Sequence, residues 1–171
     1  MRARQALVLG HFLEREYQQA RALEVLNLAE FKRSGSRYRI ADSFALLSVA
    51  SILSGDVQAG RDYLDQSGRL ASSVLSDQIA GLVVASLLAI RSGRADAGSQ
   101  LAGAARAITE ETDVTNATLR ILHVPDPIEL ARESLGADAD RWIAEGRSMT
   151  LEDALALARR IIAREDDGSS G

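Results

Sequence analysis

Apolar residues recur at Ile40, Phe44 and Leu47, with Val49, Ile52 and Leu53 continuing the same surface. That i, i+4, i+7 spacing predicts a helix over about 38–54. Gly55 follows, where a left-handed residue ends a helix, and Asp56 is placed to cap a second helix over about 56–74. The same alternation predicts a pair over 2–14 and 16–32, and another over 77–92 and 94–111. In the third pair Ser76 is the expected N-cap, and Gly93 the stop before Arg94. The stretch Ile79–Ile90 is apolar on every side, which predicts burial on every side. At about 12 residues it is well short of the ~20 needed to span a bilayer.

The junctions of these pairs repeat one phrase. "REYQQARALEVL", "GDVQAGRDYL" and "GRADAGSQL" each place a small residue five positions after a turn residue: Ala20, Gly60 and Gly98, at spacings of 40 and 38. Repeats with periods of this size are stacked supersecondary units. Two antiparallel helices joined by a tight turn cross near their shared end, so a small residue there lets the backbones approach. Glycine inside a helix costs roughly 0.5–1 kcal/mol relative to alanine, so its use twice points to a close crossing.

Beyond about residue 112 the period is lost, and 113–125 reads as an irregular connector. "DPIELARESLG" then has Asp126 as cap, Pro127 at the first helical position, Glu129 completing a capping box and Gly136 as stop. "DADRWIAEG" predicts another short helix. A last one is capped by Thr150, with Glu152 and Asp153 in its first turn, Arg159, Arg160 and Arg164 at its end, and Leu151, Leu155, Ala158 and Ile162 on one face. Residues 165–171 read as a frayed tail. The organisation expected is therefore helix-pair repeats over 1–112, the connector 113–125, capping helices over 126–164, and the tail.

The turn phrases around Gly55, Asp56, Gly60 and Arg61, and around Glu16, Tyr17, Ala20 and Arg21, resemble the inter-helix turn of tetratricopeptide-like repeats. The fold expected is an all-α, tetratricopeptide-like α-solenoid of about three helix pairs with a C-terminal helical cap. Over about residues 80–163 the chain also resembles the C-terminal sensor region of bacterial LuxR-type regulators and signal-transduction ATPases. Ala144, Glu145, Gly146, Arg147, Met149, Thr150, Leu151, Glu152, Asp153 and Ala154 fit the motif that closes such regions. This resemblance implies a non-catalytic module in bacterial transcriptional or signal control, partnered by an ATPase or DNA-binding module, or by a small apolar ligand.

Composition narrows the chemistry. Aromatics are 4% of the chain, cysteine is absent, and both prolines (Pro125 and Pro127) come late, which fits an all-α protein with neither disulfides nor cysteine-held zinc. No apolar leader opens the chain, and a cytoplasmic location is expected. No phosphate-loop motif is present, and no G-x-S-x-G elbow. The net charge of −4 argues against general nucleic-acid binding. One basic cluster, Lys32, Arg33, Arg37 and Arg39 around Tyr38, reads either as a helix end or as the contact of a DNA-binding regulator. Asn116-Ala117-Thr118 matches a glycosylation sequon, a coincidence in a cytoplasmic chain.

His11 and His123 are the only histidines, and neither has a partner at an H-x-x-x-H spacing, so no metal or other cofactor is expected. Carboxylates that are merely adjacent do not make an acid–base pair, so no enzyme activity is expected either. The remaining candidates are apolar. Ala45, Val49 and Ile52 of the second pair match Val83, Leu87 and Ile90 of the third, and the first helix of each pair lines the concave face in related solenoids. These six, with Phe12 and Asp42 at the rim, are the expected partner- or ligand-binding residues. The tail helices filling that groove, or a homodimer formed through it, are the alternatives.

Overall fold

The computed structural model describes residues 2–70, 73–114, 119 and 122–164, and every regular element among them is helical. The helices are α1 (Arg2–Leu13), α2 (Tyr17–Ser34), α3 (Arg37–Leu53), α4 (Val57–Leu70), α5 (Leu75–Arg91), α6 (Ala95–Thr112), α7 (Pro127–Leu135), α8 (Ala139–Arg147) and α9 (Leu151–Ala163). A short 3-10 turn, Gly136–Asp138, joins α7 to α8. Much of the expected connector, the sequon and the tail lie outside the described residues.

Contacts divide the chain into two compact units, Met1–Ser73 with Asn116–Val124, and Val74–Thr115 with Pro125–Gly171. The first holds the hairpins α1–α2 and α3–α4, with α3 packed on α2. The second holds the hairpin α5–α6, against which α7, α8 and α9 pack. The boundary expected at residue 112 falls inside this second unit.

All three hairpins close with one hydrogen-bond pattern. The N–H groups of Arg15, Gly55 and Gly93 donate to the carbonyls of Phe12, Ile52 and Ile90. Those of the following residues, Glu16, Asp56 and Arg94, reach back to His11, Ser51 and Ala89 at 2.8–2.9 Å. Each is a Schellman closure, which requires a left-handed residue just past the helix. Gly55 and Gly93 take φ of 91° and 83°, but in the first copy Arg15 is held at 60°.

The crossings are as close as the small residues suggest. A Cβ on Gly60 would stand 2.5 Å from Ile52 Cγ1, and one on Gly98 would stand 2.6 Å from Ile90 Cγ1. A hydroxyl fixes each crossing: Ser48 Oγ donates to the Gly60 carbonyl at 2.8 Å, and Ser86 Oγ to the Gly98 carbonyl at 2.7 Å. In the first hairpin these places hold Val8, Phe12 and Ala20, a purely apolar version of the same contact, and all three are buried.

In the second unit, α6 meets α8 almost backbone to backbone. A Cβ on Gly103 would lie 2.2 Å from the Ile143 carbonyl oxygen, and one on Gly146 would lie 1.9 Å from that of Gln100. Around the crossing, Ala102, Ile128, Ala131, Ala139 and Ile143 are buried, with Ile90 and Leu135 packed against them. Asp126 caps α7 by accepting the Ile128 N–H at 2.9 Å. Thr150 caps α9 by accepting the Asp153 N–H at 3.1 Å, and its hydroxyl donates to the Asp153 carboxylate. Two expected caps differ. Val74, not Ser76, is the N-cap of α5, leaving Ser76 within the first turn. Glu129 forms an ion pair with Arg132, three residues on, where the expected capping box would turn it back to the cap.

Candidate functional site

The expected binding residues do not form an open apolar face. Phe12, Val49, Ile52 and Leu87 are at most 1% exposed, which makes them core. Ala45, Val83 and Ile90 are half-buried, and Asp42 is exposed. The reason is clearest in the second unit, where the tail helices α7 and α9 lie on α5 and Ile90 packs against the cluster of Ala102, Ile128, Ala131, Ala139 and Ile143. Ile52 stands against Gly60 of its own hairpin, and Leu87 is wholly enclosed. Among the described residues of the first unit, the exposed large aliphatic side chains are Leu7, Leu13, Val25 and Leu26, on α1 and α2.

The basic cluster sits at the α2–α3 turn, where Gly35 takes a φ of 71°. Lys32 and Arg33 lie in the last turn of α2, and Arg37 opens α3. Lys32 lies 5.2 Å from the centre of the Phe44 ring and Arg39 5.3 Å from that of Phe31. Two of the four cations are thus engaged with aromatic faces, while Tyr38 projects into solvent.

Sequence reasoning did not find the buried polar cluster between α1, α2 and α3. Glu24 is 3% exposed and Asn27 and Ser43 are fully enclosed. Ser43 Oγ donates to one Glu24 carboxylate oxygen, and Asn27 Nδ2 donates to the other at 2.8 Å. Arg4 reaches in from α1 to Asn27 Oδ1 and ion-pairs with Glu30 at 3.4 Å. Burial pushes the Glu24 carboxyl above its ordinary range, against the pull of the Ser43 and Asn27 hydrogen bonds, and nearby Asp42 adds to the rise. The available signal was Glu24 standing in the register position that holds Leu64 in the second pair and Ala102 in the third.

A second grouping was missed because its spacing is not H-x-x-x-H. His11, Glu14 and Glu16 straddle the first hairpin turn, and one donor atom from each lies within 4.8 Å of the others. His11 Nδ1 is 2.6 Å from Glu16 Oε2. Turn closure creates the grouping, because the Schellman bond from Glu16 N to the His11 carbonyl folds residue 16 back over residue 11.

Elsewhere several surface charges are paired: Arg21 with Asp56, Arg106 with Asp126, Arg132 with Glu129 and Asp140, and Arg147 with Glu110. Asp56 is held below the ordinary carboxylate range by the Ala59 N–H and by Arg21, and Glu110 by Arg147. Compared with known proteins, the chain matches no protein family, no curated protein and no solved structure.

Proposed function

We propose that the chain is a non-catalytic interaction or sensing module of a bacterial transcriptional or signalling regulator, built from tetratricopeptide-like hairpins. The observation that carries this reading is the thrice-repeated hairpin closure at offsets of 40 and 38 residues. Stacked units of one design make extended contact surfaces. The polar chemistry supports it too: Ser48 and Ser86 fasten helices, Asp56, Asp126 and Thr150 cap them, and the buried Glu24 is enclosed by Ser43 and Asn27. With Leu87 and Ile52 in the core, the partner contacts are the exposed aliphatic side chains of α1 and α2, Leu7 and Leu26 being the most exposed. The partner is a helical face of an ATPase or DNA-binding module, and its occupancy shifts the packing of the regulator.

Photo-crosslinking from position 26 in cells, with and without Leu7→Glu, tests the reading. Leu7 is 56% exposed, so the substitution leaves the fold intact. A discrete crosslinked protein that disappears with Leu7→Glu is expected. A chain that crosslinks to nothing, or whose adduct ignores the substitution, refutes the surface assignment.

A further inference from the structure

We infer that the first hairpin turn is a divalent transition-metal site, with His11, Glu14 and Glu16 as its protein ligands. The inference rests on this turn alone and is independent of the partner surface proposed above. The three donors already lie within 4.8 Å of one another, close to what one ion can bridge. Ligands of a tetrahedral zinc ion at bond lengths near 2.0–2.1 Å stand about 3.3 Å apart. The His11–Glu16 contact of 2.6 Å has to open by about 0.7 Å to admit the ion. Glu14, exposed at the end of α1, closes the third position by rotating its side chain. Water completes the shell, as in an open three-ligand site.

The other two copies of the turn show what is particular to this one. In the register of His11, Glu14 and Glu16 the second hairpin has Ser51, Ser54 and Asp56, and the third Ala89, Ser92 and Arg94. Asp56 uses its carboxylate on its own helix, accepting the Ala59 N–H at 3.1 Å. Glu16 occupies the equivalent N-cap position of α2 but makes no capping bond; its carboxylate turns to the imidazole instead. A capping side chain is worth roughly 1 kcal/mol, so the first copy forgoes a stabilisation that the second uses. An imidazole nitrogen with two carboxylates selects zinc, cobalt or nickel over calcium or magnesium, which prefer all-oxygen shells. A bound ion would tie the end of α1 to the start of α2.

Calorimetric titration of Zn²⁺ into the untagged full chain is the direct test, with Co²⁺ as a spectroscopic probe. The expected result is one Zn²⁺ per chain, and an affinity at least tenfold weaker in both His11→Ala and Glu14→Gln. Circular dichroism should be unchanged in these variants, and His123→Ala should bind as the wild type does. Absence of saturable binding, or binding that survives His11→Ala, overturns the assignment.

Discussion

Replacing Gly146 by alanine adds one methyl group where α6 and α8 meet. That Cβ would lie 1.9 Å from the Gln100 carbonyl oxygen, 2.6 Å from its carbon and 2.7 Å from the Gln100 Cα. All three atoms belong to a helix backbone and cannot turn aside as a side chain would. Reaching ordinary van der Waals separation requires α8 to move off α6 by well over about 1 Å. The movement loosens Ile143 and Ala139 against Ala102 and Ala131. Overpacking of a tight core costs about 1–3 kcal/mol, and three backbone overlaps put this site at the upper end. Alanine's better helix propensity returns about 0.8–1 kcal/mol. The net expectation is a loss of about 2 kcal/mol. Gly81→Ala is the matched control: Gly81 lies in α5 of the same unit, and a Cβ there meets nothing within 4 Å, so it should gain up to about 1 kcal/mol. Urea denaturation followed by circular dichroism measures both. Opposite signs are expected, and a Gly146→Ala protein as stable as Gly81→Ala would refute the close-crossing argument.

Because folding raises the Glu24 pKa, the native state holds that proton more tightly than the unfolded chain. The resulting stabilisation is complete below the unfolded value of roughly 4.3 and is lost as pH rises through the folded value. The lowered groups Asp56 and Glu110 act with the opposite sign, and only at lower pH. Melting temperature should therefore decline as pH rises above about 4.3 in the wild type and flatten in Glu24→Gln; parallel curves would exclude Glu24 as the cause. Ser48→Ala and Ser86→Ala each remove a hydroxyl donated to a glycine carbonyl and should cost about 1 kcal/mol by chemical denaturation. An unchanged midpoint would show the fastening to be idle. Arg15→Gly relieves a left-handed non-glycine residue and should stabilise by about 1 kcal/mol in thermal melts; a loss would mean that the Arg15 side chain contributes more than its backbone costs.

The hairpins were legible in the sequence because their signals are local. Turn residues 15, 55 and 93 and small residues 20, 60 and 98 fall at one offset, and the described helices begin and end within a few residues of where the periodicity puts them. What the apolar pattern could not tell was which neighbour covers each face. Leu87 and Val49 read as well for a groove lining as for a core, and only tertiary packing decides between them. Glu24 was hidden for a related reason: its partners Asn27 and Ser43 lie on two helices, and its carboxylate is buried only once α3 docks on α2. The His11–Glu14–Glu16 grouping needs the turn to be closed before its members meet.

Helix α6 carries Ala102, Gly103, Ala104 and Ala105 in succession, all buried, with Gly98 against α5 and Gly103 against α8. Alanine and glycine have no rotamers to freeze, so enclosing this run forfeits almost no side-chain entropy. This run also has no side chains able to repack and absorb a displacement, unlike the flanking Leu101 and Ile108. A push on α8 is therefore met by backbone on one side of α6 and passed to backbone on the other. Within the second unit this run of α6 is a stiff spacer between α8 and α5, so a displacement of one should carry through to the other.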